Sequence, residues 1–124
     1  THGEGSLFKS KGQTALGTSG RATFDGNWGK RAESGRGTTN PEELLAAALA
    51  SCYCMALSNA LSEEGHEPAS LDATAEMTFV PGEGVTGAKI TVKGDVPGLS
   101  ADEFREKAEW AKELKAVRKD LVIV

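Results

Sequence analysis

The stretch Asn40-Pro41-Glu42-Glu43-Leu44-Leu45-Ala46-Ala47-Ala48-Leu49-Ala50-Ser51-Cys52-Tyr53-Cys54-Met55-Ala56-Leu57 decides the fold. It opens on a helix start. Asn40 is a good N-cap, and Pro41 suits the first helical position, where a missing N–H costs nothing. Glu43 stands third, where its carboxylate can return a hydrogen bond to the cap. From Leu44 to Leu57 the chain is apolar except at Ser51, so apolar side chains surround the axis and burial on nearly every side is expected. Gly65, after Glu63 and Glu64, supplies the left-handed residue that ends such a helix. The apolar run is shorter than the roughly 20 residues a membrane-crossing helix needs, so it reads as a buried central helix and no membrane is expected.

Upstream, residues 1–37 are glycine-rich and carry short segments such as Gln13-Thr14-Ala15-Leu16 and Arg21-Ala22-Thr23-Phe24. They predict short strands in an antiparallel meander. Downstream, Leu71, Ala73, Ala75, Met77 and Phe79 alternate with polar neighbours. Pro81-Gly82-Glu83-Gly84 then turns the chain, and Ala88, Ile90 and Val92 alternate with Lys89, Thr91 and Lys93. This is a β-hairpin with one apolar face to lay on the helix. Ser100 and Glu103 form a capping box for a second helix over 101–117, with Phe104, Ala108, Ala111 and Leu114 at helical spacing, and Leu121-Val122-Ile123-Val124 begins a last strand. The order is α+β, with antiparallel sheets around two helices, in one domain over 1–124.

The composition sets limits on function. The 124 residues carry a formal charge of −4, opposite in sign to what a phosphate-backbone binder needs, so nucleic acid is a poor partner. Thr1-His2-Gly3-Glu4-Gly5 shows no basic stretch leading into an apolar core, and a cytoplasmic location is expected. The two cysteines, Cys52 and Cys54, lie two apart in the helix, about 200° around its axis, so they cannot bridge without unwinding it. With His2 and His66 remote in sequence, they do not converge on a zinc tetrahedron either, and neither a metal nor another cofactor is expected.

A thiol in an aliphatic helix is usually packing, and a catalytic role requires an activating cation. Cys52 is too far along the helix for the N-terminal dipole to hold a thiolate. The upstream loop offers Arg31, Arg36 and Lys30, of which an Arg can grip both a thiolate and a polar oxygen. Glu42 is a second suspicious group, because Asn40 and Glu43 already complete the cap. Its plain alternative is an acid favoured by the dipole. Ten residues of helix separate Glu42 from Cys52 by about 15 Å. Two copies of the helix packed antiparallel about a two-fold axis near Ala47 would instead bring Glu42 of one beside Cys52 of the other. The expectation is a homodimer with composite sites.

The segment from Gly37 to Ser58, with its Asn-Pro-Glu-Glu-Leu cap, its Cys ten residues after the first Glu and its Met55-Ala56-Leu57-Ser58 continuation, closely resembles the signature of the OsmC/Ohr family, the osmotically inducible and organic hydroperoxide resistance proteins. The continuation is closer to the OsmC branch. The resemblance implies an intertwined α+β homodimer acting as a thiol peroxidase that reduces organic hydroperoxides to alcohols and so protects against oxidative stress. Cys52 takes the peroxidatic position, forming a sulfenic acid. Arg31 takes that of the activating Arg, with Arg36 as the alternative because the spacing to the Asn-Pro cap is one residue longer than the pattern, and Glu42 takes that of the Glu that orients it. The implied reductant is a dithiol, such as a lipoylated protein. The chain departs from the family at the second helix, where a resolving Cys normally follows a segment like Ala108 to Glu113 and Leu114 stands instead. Two readings stay open: the resolving thiol is lost, so that an outside thiol must reduce the sulfenic acid, or a short segment of the protein that carries it is absent from this sequence. The competing readings are a non-catalytic OsmC-like dimer that binds a small ligand or serves in stress, and a purely structural dimer.

Overall fold

The computed structural model of the chain describes residues 1–5, 11–26 and 37–113, which fall into two compact units, Thr1–Leu45 and Ala46–Val124. In the first unit β1 (His2–Glu4), β2 (Lys11–Ala15) and β3 (Thr23–Gly26) form an antiparallel sheet in the order β1-β2-β3, the meander expected. Gln13 pairs with Asp25 across the strands, and its Nε2 donates to Asp25 Oδ1 at 3.1 Å. The segment leading into the first helix is tied to β3, because Thr39 N donates to Asp25 O at 2.8 Å. Gly26 permits this approach, since a Cβ there would sit 3.0 Å from the Thr39 carbonyl oxygen. The sheet therefore fixes where Asn40 stands when the helix begins.

Helix α1 (Pro41–Glu63) starts as its sequence dictates, with Glu43 N donating to Asn40 Oδ1 at 2.8 Å. It ends in a Schellman motif. His66 N donates to Leu61 O and Gly65 N to Ser62 O, with Gly65 at a φ of 83°. The second unit holds most of α1 together with the hairpin β4 (Ser70–Val80) and β5 (Gly84–Asp95), and with α2 (Ala101–Glu113). The strand register pairs Ala73 with Val92 and Ala75 with Ile90 on one face, and Asp72 with Lys93 and Glu76 with Lys89 on the other. A slip of one residue would turn the apolar set to solvent and break these opposite-charge pairs, so both faces specify the same register.

Tyr53, Leu57 and Leu61 of α1 form the core with Val96 and Ala111, and the half-buried Leu71, Ala73, Ile90, Val92, Leu99 and Phe104 pack around them. The hairpin thus covers the helix as its alternation predicts, although Ala88, assigned to the inner face, is exposed. Ser100 caps α2 reciprocally, accepting from Glu103 N at 3.2 Å and donating to Glu103 Oε1 at 3.1 Å. The predicted end of this helix at residue 117, Leu114 and the last strand Leu121–Val124 lie outside the described residues.

Two expectations about α1 need correction. The helix continues past the apolar run to 23 residues, an 18-residue window of it has a mean hydropathy of 1.7, and by length and composition alone it is long and apolar enough to cross a membrane. Ala60 and Leu61 continue the apolar pattern beyond Ser58 and Asn59, past the run from Leu44 to Leu57. Nor does the single chain bury the helix all round. Ala46, Tyr53, Leu57, Ala60 and Leu61 form one buried stripe, whereas Met55 is 71% and Leu45 39% exposed.

One close contact sets a stability prediction. A Cβ at Gly94 would lie 2.4 Å from the Phe104 ring and 3.0 Å from Leu71 Cδ2, so the ring of α2 rests on bare strand backbone. Gly94→Ala is expected to cost about 1–3 kcal/mol by overpacking, read as a lowered urea midpoint. Gly87→Ala in the same strand, where the added methyl meets nothing within 4 Å, is expected to stay within about 0.5 kcal/mol.

Candidate active site

Cys52 and Cys54 are both free thiols and both half-buried. Their placement follows from helical geometry. At 100° per residue, the buried stripe of Glu42, Ala46, Tyr53, Leu57 and Leu61 occupies one side of α1, and the two cysteines flank it on opposite sides. Cys54 opens on a shallow groove with Ser58, Ser62, Pro68 and Leu71, between α1 and the start of β4. Cys52 lies on the other flank. Among the described residues no three His, Cys, Asp or Glu side chains gather into a metal-binding group.

Glu42 and Glu43, adjacent in the first turn, behave differently. Glu43 is exposed and its backbone N–H satisfies the cap. Glu42 is only 8% exposed and is the one buried charged side chain among the described residues. An acid serving the helix dipole alone can remain in water, whereas a buried carboxylate requires a compensating partner. The continuous helix keeps Glu42 about 15 Å from Cys52 of the same chain, so α1 by itself does not bring the two together. Arg31, Arg36 and Lys30 lie outside the described residues.

The sequence reading passed over Tyr53. Its side chain is 7% exposed and its hydroxyl donates to the Ala108 carbonyl oxygen at 2.7 Å, joining α1 to α2 beside the two thiols. The signal was present but weak: Tyr53, Leu57 and Leu61 recur at four-residue spacing, which places a phenol on the core stripe, where it needs an acceptor. Burial pushes its pKa above the usual 10.0, with the negative charges of Glu109 and Cys54 adding to the shift. The folded state therefore favours the protonated phenol. This contribution is intact below the unfolded tyrosine value and is lost as pH rises through the higher folded value. Thermal stability is expected to fall as alkali is raised past about pH 10, and Tyr53→Phe to flatten that part of the profile.

The chain matches the family model described as OsmC-like protein over residues 33–119. It is 38% identical over 108 residues to peroxiredoxin OsmC of Escherichia coli (strain K12), covering 83% of this chain and 73% of the relative. Among solved structures, the organic hydroperoxide resistance protein OhrB of Bacillus subtilis is 26% identical with a TM-score of 0.54, covering 89% of this chain and 91% of the other. An organic hydroperoxide resistance protein from Elizabethkingia anophelis is similar in fold, with a TM-score of 0.58 at 22% identity, covering 84% of this chain and 81% of the other.

Proposed function

This chain belongs to the OsmC-like protein family, and from that premise we propose that it is a Cys-based peroxidase reducing organic hydroperoxides to alcohols in defence against oxidative stress. The observation that carries the reading is the pairing, on one helix, of a half-buried Cys52 at the family's reactive position with a buried Glu42 ten residues before it. Cys52 is the nucleophile. Arg31, or Arg36 in its place, holds the thiolate and polarises the peroxide, and Glu42 orients that guanidinium. Apolar surroundings favour alkyl hydroperoxides by desolvation.

The working form is a homodimer with composite sites, each a single OsmC-like domain over 1–124, in the cytoplasm. Support for the dimer comes from α1, whose exposed Leu45 and Met55 leave an apolar face uncovered by the chain itself. Antiparallel packing of two α1 helices covers that face and sets Glu42 beside the partner's Cys52. The reductant is a thiol, with a dithiol such as a lipoylated protein the preferred kind.

The test is direct. Reduced protein is mixed with stoichiometric cumene hydroperoxide in the presence of dimedone, and peptides are mapped by mass. The adduct is expected on Cys52. A Cys52 left unaltered rejects the enzyme and favours a non-catalytic binding dimer.

A further inference from the structure

Resting on the peroxidase reading, we infer that Met55 is the residue that selects organic hydroperoxides over hydrogen peroxide: it forms the apolar wall against which the organic group lies while the distal oxygen meets Cys52. Met55 follows Cys52 by three residues in the unbroken helix Pro41–Glu63. That spacing sets it about one turn on and about 60° around the axis, with about 5–6 Å between the two Cβ atoms. Long side chains on a helix lean back over the turn N-terminal to them, and the turn before Met55 is that of Cys52. One turn before Cys52 on the same side stands Ala48, exposed, whose methyl leaves space over the sulfur. Leu49 and Ala56, the other neighbours one turn away, lie toward the buried stripe and are half-buried. Within one turn of the thiol on its open side, Met55 is therefore the large apolar group.

Met55 has no place in the core of its own chain. At 71% it is the most exposed large hydrophobic side chain among the described residues, so its apolar surface is still available for burial against a substrate. Its far side borders the groove of Cys54, Ser58 and Leu71, and it stands as a ridge between the two thiols. In the antiparallel pairing about Ala47, the partner's Glu42 comes level with Cys52, and that helix begins one residue earlier, at the partner's Pro41. Met55 therefore stands just past its end, at the mouth of the seam. Methionine suits the task, because three rotatable bonds and a polarizable thioether adapt to alkyl and aryl groups of different shape. The bond changes are the same for every peroxide: an S–O bond forms at Cys52 as the O–O bond breaks, sulfur is oxidised to the sulfenic acid, and the alkoxide or hydroxide takes a proton and leaves as alcohol or water. Only an organic hydroperoxide has apolar surface to remove from water against Met55, so only its binding gains from that wall.

The experiment measures kcat and KM of the protein and of Met55→Gln for cumene hydroperoxide and for hydrogen peroxide, at one fixed dithiothreitol concentration. Gln keeps the length of the side chain and puts a polar amide in the wall. The KM for cumene hydroperoxide is expected to rise about tenfold with kcat little changed, while both constants for hydrogen peroxide stay within about twofold. Met55→Leu restores an apolar wall and is expected to return the KM for cumene hydroperoxide to near that of the unaltered protein. A role in packing alone predicts a different pattern, in which loosened helices lower turnover with both peroxides together. That pattern, or an unchanged preference between the two peroxides, overturns the inference, while dimedone labelling of Cys52 after peroxide keeps the peroxidase reading standing. Absence of any oxidation at Cys52 in the unaltered protein overturns both.

Discussion

Cys52→Ser is expected to lower hydroperoxide turnover by a factor on the order of a thousand or more, corresponding to about 4 kcal/mol of barrier. The hydroxyl cannot replace the thiolate, because a serine oxygen stays protonated at neutral pH and has no accessible product equivalent to a sulfenic acid. Its effect on the fold is expected to be small. Cys52 is half-buried on the flank of the core stripe, not among the buried residues that hold the unit together, so the isosteric change should stay within about 1 kcal/mol. Coupled oxidation of dithiothreitol by cumene hydroperoxide measures the first effect and a urea titration the second. Near wild-type turnover in Cys52→Ser contradicts the assignment.

Glu42→Gln is expected to reduce turnover by about 10- to 100-fold, or about 1.4–2.7 kcal/mol. The substitution keeps the size of the buried side chain but removes the charge proposed to steer the guanidinium. The plain alternative, an acid favoured by the helix dipole, predicts something different: a stability loss of about 0.3–1 kcal/mol with unchanged peroxide kinetics. The burial of Glu42, against the exposure of its neighbour Glu43, is what makes the larger effect the expected one. Peroxide kinetics measured beside a urea titration separate the two, since a purely structural role lowers the urea midpoint and leaves turnover where it was.

What the sequence made legible is mainly local. The Asn40 and Ser100 caps, the left-handed Gly65 and the alternation of β4 are written within a few residues of where they act, and each appears as read. Contacts that depend on chain segments meeting in space were not legible. Nothing near Gly94 reveals that a phenyl ring ten residues later rests on it, and nothing near Tyr53 names the Ala108 carbonyl as its acceptor. The surroundings of α1 were misjudged for a related reason. Hydrophobicity around a helix states that the whole surface prefers burial, but not how much of it one chain can cover.

The same limit applied to the site. Cys52 and Glu42 stood out through residue type and spacing, yet a separation of about 15 Å along one helix means that a shared site must draw on two copies. The mixed dimer tests this most directly. Cys52→Ser and Glu42→Gln chains, each nearly inactive alone, are unfolded together, refolded at equal concentrations and assayed for hydroperoxide turnover. If each site takes its thiol from one subunit and its carboxylate from the other, half the dimers are mixed and each holds one intact site, so about a quarter of the wild-type activity returns. Activity no higher than the mean of the two parents, in a sample shown to contain mixed dimers, contradicts the composite site.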